Sequence, residues 1–207
     1  MTRIPLPLVG AGLLTLVGAG GALAHVTLET GEAPAKSTYK AVLRLPHGCE
    51  GKPTVALRVK IPEGVIVAKP MPKPGWQLAT VEGRYAHSYD YYGTPIAEGV
   101  TEIAWTGGNL PDEWYDEFVF RARLTDFPAG TILHFPVVQE CADGAVERWI
   151  EIPAPGKGDD DYETPAPGLK ITAGAAARSL PCRIFCTFCW SAFRCWCCPA
   201  WRRPTPC

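Results

Sequence analysis

Between Lys36 and Pro153 the chain alternates apolar and polar residues in windows no longer than a short strand, and Gly or Pro interrupts it before any helical period develops. Tyr39, Ala41, Leu43 and Leu45 fall on one face of such a window. Val55, Leu57, Val59 and Ile61 do so in a second, and Phe118, Phe120, Ala122 and Leu124 in a third. The breaks Pro62-Glu63-Gly64, Gly107-Gly108 and Asp143-Gly144 read as turns between them. Short strands at this spacing cannot bury their apolar faces singly, so the expected class is all-β, a β-sandwich.

The first residues belong to a different kind of segment. Arg3 is followed by an uncharged apolar run from Ile4 through Val17, then by small residues ending Ala22-Leu23-Ala24. That order is a secretory signal with an A-x-A site, which predicts cleavage between Ala24 and His25. Pro7 and several glycines interrupt the run, which falls short of the ~20 apolar residues a membrane span needs. The expected location is therefore secreted, periplasmic or at the cell envelope, with residues 1–24 as signal peptide and the folded domain starting at residue 25. About 180 residues remain, enough for one domain and a tail. A net charge of -1 and the lack of a long basic run argue against nucleic acid or an anionic membrane surface as partner.

Residues 154–177 read as a linker or terminal arm, rich in Pro and Gly and containing Asp159-Asp160-Asp161, with a last strand around Leu169 to Thr172. From Arg178 onward Asp, Glu, Lys and Gly vanish, while seven of the nine cysteines, three tryptophans and five arginines crowd into thirty residues. Cys186 and Cys189 form one C-x-x-C, yet no second one stands at zinc-ribbon spacing. The abrupt change matches a GC-rich gene read out of frame, and the expectation is that 178–207 is such an artefact. The remaining Cys49 and Cys141 are expected to form a structural disulfide in an oxidising compartment. A cysteine-ligated copper site would want two histidines beside the sulfur, and neither cysteine has them nearby in the sequence.

Cleavage before His25 would leave a histidine at a free amino terminus, where the α-amine and the ring Nδ1 can chelate one metal ion. Copper(II) prefers nitrogen and oxygen donors and tops the affinity order for divalent metals. Affinity should fall with falling pH, because an amine of ordinary pKa about 7.7 to 8 must lose its proton to bind. An uncleaved chain should bind poorly.

Four stretches then fall into one pattern: His25-Val26-Thr27-Leu28-Glu29, Trp105-Thr106-Gly107-Gly108, Tyr115-Asp116-Glu117-Phe118, and Asp143-Gly144 followed by Arg148-Trp149. Together they resemble the YcnI family of bacterial copper-binding proteins over roughly His25 to Pro153. The resemblance implies an immunoglobulin- or fibronectin-III-like (cupredoxin-like) sandwich that holds Cu(II) in a single-histidine brace. Its implied metal residues are His25, Glu117 and Trp149: the first as bidentate ligand, the second as oxygen ligand, the third as a shield. Asp116 is the substitute ligand should the strand register differ by one.

The implied role is a non-catalytic carrier in copper acquisition, trafficking or homeostasis, with a membrane copper transporter or another copper chaperone as partner. Two other readings compete. A copper-dependent oxidase resembling lytic polysaccharide monooxygenases would need a second brace histidine, from His47, His87 or His134, and a flat aromatic face, for which Tyr85, Tyr89, Tyr91 and Tyr92 are available. A metal-free cell-envelope β-sandwich is the third. Serine hydrolysis has no foothold, since no G-x-S-x-G elbow occurs.

Overall fold

The computed structural model describes residues 25–174. The expected signal segment, residues 1–24, and the Cys-rich segment 178–207 lie outside the described residues. The described chain forms β1 (Thr27–Leu28), β2 (Glu32–Pro34), β3 (Thr38–Leu45), β4 (Thr54–Lys60), β5 (Val65–Pro70), β6 (Gln77–Tyr91), β7 (Thr94–Leu110), β8 (Asp116–Leu124), β9 (Ile132–His134), β10 (Val137–Cys141), β11 (Val146–Trp149) and β12 (Gly168–Thr172).

Two sheets, ordered β1-β3-β8-β5 and β11-β10-β4-β7-β6, share one core, and a small sheet β2-β12-β9 closes one side. All four residues of the first and third predicted windows are buried on β3 and β8, whose antiparallel ladder pairs Ala41 with Phe120 and Leu43 with Phe118. Trp105 of the second sheet meets Phe118 of the first edge-on, ring centroids 5.5 Å apart, and its indole N–H donates to the Met71 carbonyl over 3.0 Å. Full burial of rings of this size stabilises by about 1.5–3 kcal/mol each, so this contact is a main tie between the layers.

Three expectations are revised. Gly107-Gly108 is not a turn but lies within β7. Gly107 has φ of +73°, and the Trp76 indole packs so closely on Gly108 that a Cβ there would overlap the ring. The two glycines therefore admit a tryptophan to the sheet surface rather than reversing the chain. In β4 the register shifts between Thr54 and Ala56, which turns Thr54 and Ala56 into the interior and leaves Val55 only partly buried. Finally, packing extends beyond Pro153. Ala166, Leu169 and Ile171 are fully buried, and β12 pairs parallel with β2 and antiparallel with β9. The polar stretch before Ala166 is a surface excursion, and the apolar Leu169 and Ile171 recover enough burial to order the strand that follows.

The disulfide forms as expected between Cys49 and Cys141, which are separated by 92 positions in sequence. It ties the loop after β3 to the end of β10.

Candidate metal site at the sandwich edge

β1 and β11 are the edge strands of their respective sheets, and His25 stands just before β1. Val26 and Leu28 bury their side chains while Thr27 points outward, so the segment next to His25 is pegged to the core by alternate residues. This brings the His25 imidazole to the Trp149 indole of β11, ring centroids 5.8 Å apart and tilted by 56°. His25 Nε2 is buried there without a hydrogen-bond partner. The two residues are 124 positions apart and meet because the two sheets end on the same side.

Trp149 itself is buried and held by polar contacts. It pairs with Val137 of β10 and shares the inward face of β11 with Glu147, which lies opposite the fully buried Gln139. The indole N–H donates to Gln139 Oε1 over 3.1 Å, and Gln139 Nε2 donates to Thr54 Oγ1 at 2.8 Å and to the His47 carbonyl at 2.9 Å. One amide thus satisfies the indole, a hydroxyl and the backbone of the loop that carries His47. The same loop is pinned by the disulfide two residues on and by the Gly48 N–H donating to Asp112 over 2.9 Å.

His47, one of the three histidines named as a possible second brace ring, is also a neighbour of Trp149. Its ring lies 6.4 Å from Trp149 on an edge-on approach, so one indole contacts two imidazoles. Its Nδ1 hydrogen-bonds the Gly48 carbonyl at 2.5 Å. Glu147 is a second such neighbour. Burial pushes its carboxyl above the ordinary range, Glu50 and Asp112 add to the rise, and the charge of His47 opposes it. Its Oε2 is buried without a partner.

Glu117 is placed differently. The ladder sets Thr27, Arg44 and Glu117 in one cross-strand row, which puts the glutamate two strands, roughly 10 Å, from β1. Its Oε1 accepts a 2.5 Å hydrogen bond from the Tyr115 hydroxyl. His25 and Trp149 are therefore together, and Glu117 stands apart from them on the outer side of the row. Asp116 accepts from Lys73 Nζ at 2.6 Å and from the Glu117 N–H at 2.8 Å, which engages it structurally. His87 lies on the β6–β7 hairpin and His134 Nδ1 contacts the Ala166 carbonyl at 3.4 Å. The tyrosines of that hairpin pair edge-on, Tyr85 with Tyr89 and Tyr91 with Tyr92, rather than forming a flat platform.

Among the described residues no three His, Cys, Asp or Glu side chains are close enough to hold a metal ion between them. A single-histidine brace does not require three, because two of its donors come from one residue. The imidazole nitrogens and nearby carboxylates are donors that suit Cu(II).

The domain described as a domain of unknown function, DUF1775, matches residues 25–171, from His25 into β12. The chain belongs to the DUF1775 family. This is the domain of YcnI-like copper-related proteins. The DUF1775 match includes β12, in keeping with its place in the core. A crystal structure of an uncharacterized protein from Nocardia farcinica, described as immunoglobulin-like in fold, is 24% identical with a TM-score of 0.55, covering 73% of this chain and 100% of the other. That likeness concerns the fold of the DUF1775 domain. No curated relative matches the chain.

Proposed function

We propose that this DUF1775 protein is a secreted Cu(II) carrier whose mature form begins at His25. The α-amine and Nδ1 of His25 chelate the ion, Glu117 supplies an oxygen, and Trp149 covers the site and slows exchange of its outer ligands. The protein acts in copper acquisition, trafficking or homeostasis and passes the ion to or from a membrane copper transporter or another copper chaperone. It catalyses no reaction of its own. The observation that carries the reading is the 5.8 Å approach of His25 to Trp149, two residues of the family pattern joined only by the fold. For Glu117 to serve, it exchanges the Tyr115 hydroxyl for the metal as the freed terminus settles across β3.

A second reading draws on one observation, the His47 ring 6.4 Å from the same indole. In it a second imidazole completes a two-histidine site. Cu(II) titration with electron paramagnetic resonance tests both, using protein that starts at His25 beside protein retaining one extra residue before it. Tight one-to-one binding with nitrogen couplings in the first form alone supports the brace. Equal weak binding in both overturns it, and the loss of one imidazole coupling in His47→Ala establishes the two-histidine site.

A further inference from the structure

The outer face of β3, β8 and β5 carries an unneutralised row of cations. Lys40 is directly opposite Arg121, and Arg121 is directly opposite Lys69, so three exposed positive side chains stand side by side across three strands. Like charges at opposed positions repel. Among the described residues none of the three has an ion pair, although Lys36, Arg44, Arg58, Lys73 and Lys170 all have one. Arg123 continues the face two residues along β8, with its guanidinium carbon 5.3 Å over the ring of Tyr92.

The backbone is bent to build this row. Between Ile66 and Lys69 the β5 register slips by one residue, and Val67 takes φ of +52°, a left-handed conformation that a β-branched residue seldom adopts. An unbulged strand would set Ala68 opposite Arg121 and send Lys69 to the core side; the bulge sets Lys69 there instead. The β6–β7 hairpin reverses through Tyr92 and Gly93, both at positive φ, +51° and +86°, so a bulky aromatic occupies a turn position usually given to Asn or Gly. Val67, Tyr92, Tyr91, Lys69, Arg121 and Arg123 all line one small cavity of about 40 Å³ between hairpin and sheet. Two strained residues and uncompensated cations on one cavity mark a ligand site rather than a defect of packing.

We propose that this cavity and the row beside it bind a phosphate group, through charge-assisted hydrogen bonds from Arg121, Lys69 and Lys40, with Arg123 held in place by Tyr92. A tetrahedral oxyanion suits a small opening walled by the guanidinium groups of Arg121 and Arg123 and the ammonium of Lys69, with Lys40 beside it. The site is independent of the copper reading. It is invisible as a basic run because its cations are spread over three strands.

The test is inorganic phosphate titrated into isotope-labelled protein at low ionic strength, followed by amide chemical shifts, with chloride at matched ionic strength as the comparison. Saturable shifts confined to Lys40, Lys69, Arg121 and Tyr92 are expected with phosphate alone. Arg121→Glu should weaken binding by about tenfold or more, Lys69→Gln should weaken it less, and Lys60→Gln on β4 should leave it unchanged. Arg121→Glu relieves repulsion, so its melting temperature should not fall. Vesicles of phosphatidylcholine with and without phosphatidylglycerol separate the sources. Sedimentation with the phosphatidylglycerol vesicles, competed by free phosphate, assigns the group to a lipid headgroup; phosphate binding without vesicle binding assigns it to a soluble phosphate. Absence of both, equal shifts with chloride, or unchanged binding by Arg121→Glu overturns the proposal.

Discussion

The indole N–H of Trp149 donates to the side-chain carbonyl of Gln139, and that fully buried amide in turn donates to the backbone carbonyl of His47. Trp149→Phe keeps most of the ring but leaves Gln139 Oε1 without its donor. The loss should be about 1–3 kcal/mol of folding stability, the cost of a buried unsatisfied acceptor. Urea unfolding measures it, and adding Gln139→Leu should recover part of the loss only if the acceptor, not ring volume, is responsible.

Glu117 and Glu147 make opposite predictions. With Glu117 as oxygen ligand, Glu117→Gln should weaken Cu(II) binding by about tenfold, in line with loss of one charged interaction. Glu147→Gln should leave copper affinity unchanged while stabilising the metal-free protein near neutral pH. Burial raises the Glu147 carboxyl, so its contribution is most favourable in acid and declines as pH rises from the unfolded carboxyl range through its folded value. Competition titrations against a copper chelator separate the two, and a large loss in Glu147→Gln would move the oxygen ligand to β11.

Alkaline titration should report on the hairpin. Burial and the 2.7 Å hydrogen bond to Glu63 push the Tyr89 hydroxyl up to about 12 from its ordinary value of 10.0. The folded value lies above the unfolded one, so the contribution to stability is complete below pH 10 and disappears between 10 and about 12. Ultraviolet titration of tyrosinate should lose a component that rises near pH 12 in Tyr89→Phe. The same substitution should flatten the fall in stability across that pH window.

Reduction of Cys49–Cys141 should be costly. A bridge between residues 92 apart restrains the unfolded chain by ~4–5 kcal/mol in the chain-entropy account. The paired Cys49→Ala, Cys141→Ala variant should lose that much unfolding free energy, read from urea unfolding as a lower midpoint. Because the bridge anchors the loop after β3, tryptophan fluorescence of the folded variant should also change near His47.

Period-two alternation was enough to read β3 and β8, since every inward position there is aliphatic or aromatic. It failed at Gly107-Gly108, where glycine serves Trp76 rather than a turn, and at Thr54, where a bulge turns a hydroxyl inward to meet Gln139. His25 and Trp149 were legible through a resemblance, not through spacing, and the fold brings them together. His47, Gln139 and Glu147 had no such signal. A buried glutamine between Val137 and Cys141 was the one hint, an uncharged polar residue on the inward side of an apolar strand.

β1 supplies only two residues to its sheet, so the arm bearing His25 is docked by little more than Val26 and Leu28. In the proposed form that begins at His25, a terminus held this lightly acts as a tether with its own opening equilibrium, and the affinity measured for any ion is the intrinsic affinity multiplied by the fraction of time the tether is closed. Leu28→Ala would then weaken capture without altering a single donor atom. Release could be governed the same way, by a partner that peels the arm from the sheet edge instead of outcompeting its ligands.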